Sequence, residues 1–448
     1  MKKRSICLAL CAAMISMLAV GCEPAETGSS QPEESSSSAA ESAGGESTVP
    51  EDMVELSLLA CWNDPMEGID EVLAQAEQKL GIKVTYEKFS GGEEGDNIVK
   101  TRLAAGDMSD ICLYNSGSLL MALNPPEYFV DLSDQPFAEN LDDTYVKSVS
   151  VDDGIYGIPS SSSYICGVLY NKAMYEEYNL EIPGTWDEFL ANCQVLKDAG
   201  ETAMVGSYGT SWTAQLPYLG DHYNVELKNP NFAKEFEAGT LKYADDPAGL
   251  ESFQKIADVT QFLNSDYLAT TYDDACEIMA EGQAGHWIIF TAALGNIYAL
   301  YGDQVNDLGV FAIPGDSPET MGATVWEPSS YYANKNSDKI DDIMRFFEFY
   351  VSDEGLDAYT SKILPNGPYC VKGYELPDNC YDAVKDLQSM YFDEGKVALA
   401  LEFQTAVKGP NCASICQELG SGQTTAAEAA AKYDQDCEKQ AKQLGLDW

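Results

Sequence analysis

The chain has 448 residues, with 26 lysines and arginines against 73 aspartates and glutamates and a formal net charge of −47. That balance argues against nucleic acid as a partner and against adhesion to anionic lipid by charge. Past the N-terminal region roughly 400 residues remain, enough for two ordinary domains with their own cores, and no second apolar stretch reaches bilayer length.

The chain opens on Lys2, Lys3 and Arg4, followed by an apolar run from Ile6 to Val20 that is short for a membrane span. It closes on Leu18-Ala19-Val20-Gly21-Cys22, which is similar to the bacterial lipobox, whose cysteine is lipidated and becomes the new N-terminus. Residues 1–21 are therefore expected to be a lipoprotein signal peptide and Cys22 to carry the lipid, palmitate among its acyl chains. An ordinary signal peptide or an uncleaved anchor is the competing reading. Residues 22–52 are rich in Ser, Glu, Gly and Pro and hold almost no large apolar residue. Such a segment cannot repay its ordering entropy by burial and reads as a tether.

The first strand is expected over residues 55–60 and a helix from Asp64, with Asp64 as cap and Pro65 in the first turn. Ile69, Val72, Leu73, Ala76 and Leu80 share one face of it, and Gly81 ends it. Strands over 82–89 and 109–114 alternate with a helix over 96–105, and this β-α-β-α-β order implies a parallel right-handed sheet. Ligands gather at the carboxyl ends of such strands. Trp62, Asn63 and Asp64 lie after the first strand, Tyr114 and Asn115 at the end of the third.

Gly154 to Pro159 is a short β-prone run, and the serines at 160–163 read as polar and flexible. Tyr164 to Tyr170 has the pattern of a buried strand. Thr185-Trp186-Asp187-Glu188 is a capping box, and Thr425 with Glu428 forms another. Asp246-Pro247 opens an amphipathic helix, 284–290 is a strand, and 337–350 is an amphipathic helix.

Catalytic signatures are missing: no H-E-x-x-H, G-x-S-x-G, P-loop or G-x-G-x-x-G pattern occurs. The two histidines, His222 and His286, are far apart, and a strand histidine such as His286 reads as structural. No metal ligand set or cofactor motif is present, Cys412 and Cys416 lacking a nearby His or second Cys pair. Cys7 and Cys11 lie in the expected leader and Cys22 follows it; the other ten cysteines are scattered, many of them inside apolar runs, as suits buried thiols. A Cys370–Cys380 disulfide is the competing reading.

Several of these segments fall in an order that resembles the bacterial extracellular solute-binding proteins, family 1, the maltose-binding-protein-like group. The residues are Tyr156-Gly157-Ile158-Pro159, Tyr170-Asn171-Lys172, Pro183-Gly184-Thr185-Trp186-Asp187-Glu188-Phe189, Ser352-Asp353-Glu354-Gly355 and the run from Gly420 to Glu428. One departure stands out. Where the family has Gly-x-Trp after a lobe-two strand, this chain has Phe290-Thr291-Ala292-Ala293, and the role does not transfer to Trp287.

The resemblance implies an α/β, two-lobed periplasmic-binding-protein-like fold of type II. Each lobe is a mostly parallel sheet flanked by helices, with a cleft between. Lobe 1 is expected over 53–160 plus 328–373 and lobe 2 over 161–327 plus 374–448, with crossings near 159–163, 322–330 and 366–373. It adds Tyr164, Tyr208, Trp212, Trp326 and Glu327 to the ligand residues named from strand ends. Flat aromatic faces beside Asn, Asp and Glu suit a sugar ring. The expected function is a substrate-binding lipoprotein of an ABC importer. It would bind an oligosaccharide, act as a monomer, and meet permease subunits at the outer face of the cell membrane. A glycan-degrading enzyme, a lipoprotein serving a sensor or adhesin, and a peptide or polyamine ligand stay open.

Overall fold

Val54–Cys61, a run of alternating and then continuous apolar residues, pairs in parallel with Ile82–Phe89 along its whole length and with Ile111–Tyr114 on its other side. The computed structural model describes residues 53–62, 66–89 and 91–448. The expected leader, Cys22, the tether, Asn63 and Asp64 all lie outside the described residues.

The helix Glu67–Leu80 joins the first two strands and turns its Ile69, Val72, Leu73 and Ala76 inward. Each large side chain buried there contributes roughly 2 kcal/mol. It stops at Gly81, whose φ of 68° is left-handed and costs least for glycine. The helix Glu93–Ala105 follows the second strand.

Five strands make the first sheet, in the order Ile82–Phe89, Val54–Cys61, Ile111–Tyr114, Ser330–Ala333 and Gly157–Pro159. The second has six: Val397–Leu399, Ala323–Trp326, Tyr164–Asn171, Ala284–Phe290 and Thr202–Met204 in order, with Leu308–Ala312 also on Tyr164–Asn171. In each sheet one strand opposes the rest: Ser330–Ala333 in the first and Tyr164–Asn171 in the second. These are the two strands the chain enters on arriving from the other sheet. They run away from the junction, so every other strand points its carboxyl end towards it.

Each sheet has a separate core. One draws on residues from Leu56 to Ile158 and from Tyr331 to Tyr374; the other on residues from Ile165 to Trp326 and from Cys380 to Ala441. In the second, Lys255 is 1% exposed and is held by Asp221 Oδ1 at 2.5 Å and by the Pro314 carbonyl at 2.7 Å, with its ammonium 4.9 Å from the Trp186 ring centre. His286 is buried between the Tyr175 hydroxyl, 2.8 Å from Nε2, and the Ala203 carbonyl, 2.8 Å from Nδ1. Burial lowers its pKa to about 4, so it is a neutral core group. The ten cysteines of the described residues are all buried free thiols, Cys370 and Cys380 included.

Capping follows the sequence closely. Thr425 and Glu428 form the reciprocal box that starts Ala426–Gln443. Thr185 accepts from the Glu188 N–H at 3.2 Å, but the Glu188 carboxylate reaches one residue further back, to the Gly184 N–H at 2.8 Å. Among the described residues no helix is long and apolar enough to cross a membrane.

Candidate functional site

Three segments cross between the sheets, and the serine run is their fastening. Pro159 pairs with Ser330 on the first sheet, and Tyr164 pairs with Trp326 on the second. Between them, Ser160 donates to the Ser329 carbonyl through both its N–H (3.1 Å) and its hydroxyl (2.6 Å). Ser163 does the same to the Pro368 carbonyl, at 3.0 and 2.9 Å, and the Ser162 hydroxyl accepts from the Asn366 N–H at 3.2 Å. A Cβ on Gly367 would fall 2.3 Å from the Ser163 carbonyl oxygen, so only glycine allows this approach. The expected flexible run is thus a buried ladder, because its hydroxyls supply the bonds a sheet would otherwise provide.

The second-sheet side of the junction is aromatic. Phe290 ends its strand and sits among three rings: Trp212 stacked at 5.8 Å and 15°, Trp326 edge-on at 4.8 Å, and Tyr164 edge-on at 5.4 Å. Tyr272 extends the cluster at 5.6 Å from Trp212, and its hydroxyl accepts from the Asn296 amide at 2.7 Å. Burial raises the Tyr272 pKa and keeps the phenol neutral. Tyr164, Trp212, Tyr272 and Phe290 are all half-buried. The Trp326 indole N–H donates to Glu402 Oε2 at 2.9 Å, and Glu402 also pairs with Lys408. The two lobes touch here, the Ser118 hydroxyl of the helix Ser118–Met121 donating to the Glu402 carbonyl of the helix Leu401–Gln404 at 2.8 Å.

On the first-sheet side Trp62 follows its strand and its N–H donates to the Phe89 carbonyl at 3.0 Å. Asn115 is half-buried, and its carbonyl accepts from the Tyr332 hydroxyl at 2.9 Å. The Ser116 hydroxyl donates to the Pro328 carbonyl at 2.9 Å, tying the strand end to the second crossing.

The structure thus brings Tyr164, Trp212 and Trp326 together, and places Trp62 and Asn115 at carboxyl ends of the first sheet. Three expected ligand residues are turned elsewhere. Tyr114 is fully buried, and its hydroxyl is spent on Asp96 Oδ1 at 2.8 Å. Tyr208 packs in the second core, its ring edge-on to Tyr267 at 5.4 Å and against Gly420. Glu327 is 5% exposed and directed at Cys370, whose thiol donates to Oε2 at 3.3 Å. Phe290, Tyr272, Glu402 and Lys408 were not foreseen. Phe290 carries the one usable signal, an aromatic at a strand end; Tyr272 and Glu402 join the group through contacts far apart in sequence, and Lys408 joins through Glu402.

A family model described as bacterial extracellular solute-binding protein matches residues 62–356. The chain is 28% identical over 138 residues to the multiple sugar-binding protein of Streptococcus mutans, covering 30% of this chain and 31% of that protein. It is 23% identical over 337 residues to the melibiose/raffinose/stachyose-binding protein MelE of Bacillus subtilis, covering 72% and 76%. The Streptococcus mutans match thus spans under a third of that relative's length. In fold it is similar to the apo form of RafE from Streptococcus pneumoniae, with a TM-score of 0.72 at 18% identity, covering 89% of this chain and 99% of RafE.

Proposed function

The chain belongs to the bacterial extracellular solute-binding protein family, and from that premise we propose that it binds an oligosaccharide between its two lobes and delivers it to the permease subunits of an ABC importer. The observation that carries the sugar is the half-buried group of Tyr164, Trp212, Tyr272 and Phe290 beside Trp326 and its hydrogen-bonded Glu402. Flat apolar faces take the C–H side of a pyranose, and the adjoining amides and carboxylate take its hydroxyls. Trp62 and Asn115 are the proposed ligand residues of the first lobe, and Asn63 and Asp64, next to Trp62 in sequence, are proposed with them.

Binding acts by difference. A ligand that touches both lobes favours the arrangement in which both contacts are made, and the three crossings are where the lobes bend. The lobe limits are 53–160 with 328–373, and 161–327 with 374–448. Residues 1–21 are a signal peptide, and Cys22 carries the lipid that holds the monomeric protein at the outer face of the membrane. Mass spectrometry of the membrane-extracted protein tests the anchor: a diacylated Cys22 at the N-terminus supports it, and an unmodified Cys22 overturns it. Isothermal titration with raffinose, stachyose and melibiose, the sugars in the relative's name, tests the ligand class.

A further inference from the structure

Glu327 is the first residue past the strand Ala323–Trp326, at the point where the chain leaves the second sheet. Its carboxyl reaches across to the third crossing and accepts from the Cys370 thiol at 3.3 Å. That crossing is in turn fixed to the first lobe. The Asp142 N–H donates to the Cys370 carbonyl at 2.9 Å, and Leu141 is bridged to Val371. Asp142 caps the helix Asp143–Val149, its Oδ1 accepting from the Thr144 N–H at 2.8 Å and the Tyr145 N–H at 3.3 Å. The Tyr145 hydroxyl lies 2.7 Å from Ser330 Oγ. Glu327 therefore spans the joint: its backbone continues the second sheet, while its side chain rests on groups belonging to the first.

The titratable groups that face it are Asp142, from the start of that helix, Tyr145, on the helix itself, and Cys370, on the third crossing. No cation of the described residues pairs with it. Burial is the larger influence and the Asp142 charge the second; together they raise the Glu327 pKa to about 8, the thiol hydrogen bond opposing them.

We propose that Glu327 is a proton-carrying joint residue, and that movement of the two lobes about the crossings is coupled to loss of its proton to solvent. With the proton in place, a neutral carboxyl sits against Cys370 and beside Asp142. Without it, a charged carboxylate is left buried near the half-buried Asp142, and the lobes relieve this by moving apart at the joint until water reaches Glu327. The coupling is independent of which solute the protein binds.

The test needs no ligand. Exposed helix positions in the two lobes, Gln78 and Val195, are replaced by a spin-labelled non-natural amino acid in the full chain. Their separation is read by double electron–electron resonance from pH 6 to pH 9.5. The expected result is a change in the distance distribution with a midpoint at a pH of about 8. The Glu327→Gln protein should hold the pH 6 distribution throughout. Asp142→Asn keeps a helix cap but removes the facing charge, and should move the midpoint to lower pH. A wild-type distribution that does not respond to pH overturns the proposal. So does a response that survives unchanged in Glu327→Gln, or a midpoint that Asp142→Asn leaves in place.

Discussion

Replacing Trp212 by alanine separates the binding role of the aromatic group from its packing role. Its ring lies parallel to Phe290 at 5.8 Å and tilted against Tyr272 at 5.6 Å, while the side chain remains partly open to solvent. Aromatic pairs contribute about 0.5–1.5 kcal/mol each beyond area burial. Two such contacts on a half-buried ring put the folding cost at roughly 1–3 kcal/mol, below the ~3–5 kcal/mol of a fully buried tryptophan. A stacked sugar face lost from the same ring should weaken binding about 10–100-fold, equivalent to ~1.4–2.8 kcal/mol. Urea denaturation measures the first quantity, and isothermal titration with stachyose or the tightest-binding oligosaccharide measures the second. Trp212→Phe should recover most of the affinity. If Trp212→Ala binds as tightly as the parent while losing the expected stability, the ring is packing alone and the stacking surface lies elsewhere.

Lys255→Met should destabilise the second lobe by about 3–5 kcal/mol, because Asp221 is left 3% exposed without its cation; thermal unfolding reads it, and Lys255→Met combined with Asp221→Asn should recover part of the loss. Glu327→Gln should change the pH profile of unfolding. The Glu327 pKa is raised in the fold from 4.5 to about 8, so its share of stability is fully present below pH 4.5 and is lost as pH rises through 8. The variant should match the parent near pH 4 and exceed it at pH 9, by roughly 2–4 kcal/mol. Thr425→Ala removes a helix cap and should cost about 1 kcal/mol by the same assay, with no change in sugar affinity.

What the sequence makes legible is local. The strand at 82–89 and the stop at Gly81 follow from periodicity and from a left-handed residue where only glycine is comfortable. The cap at Thr425 follows from the spacing of two side chains along one turn. The site is assembled differently. Phe290 joins Tyr164, Trp212 and Trp326 by tertiary contact alone, and no window of sequence holds more than one of them. Val397–Leu399 is three residues long and becomes a strand only because Ala323–Trp326 offers it an edge. The serines at 160–163 read as loose because their hydroxyls are polar; the carbonyls of Ser329 and Pro368 that satisfy them are more than a hundred residues away. Tyr208 and Tyr114 show the converse. Both are aromatic and near polar turns, yet Gly420 and Asp96 close over them.

The proposed function has a sugar bound between the lobes. A thermal-shift screen of the protein against mono- and oligosaccharides, with amino acids and polyamines alongside, tests it most directly, since a ligand that binds only the folded state raises the melting temperature in step with its concentration over its Kd. A concentration-dependent rise is expected with one class of oligosaccharide, and loss of most of that rise in Trp212→Ala. A rise with amines or amino acids and none with any sugar would contradict it.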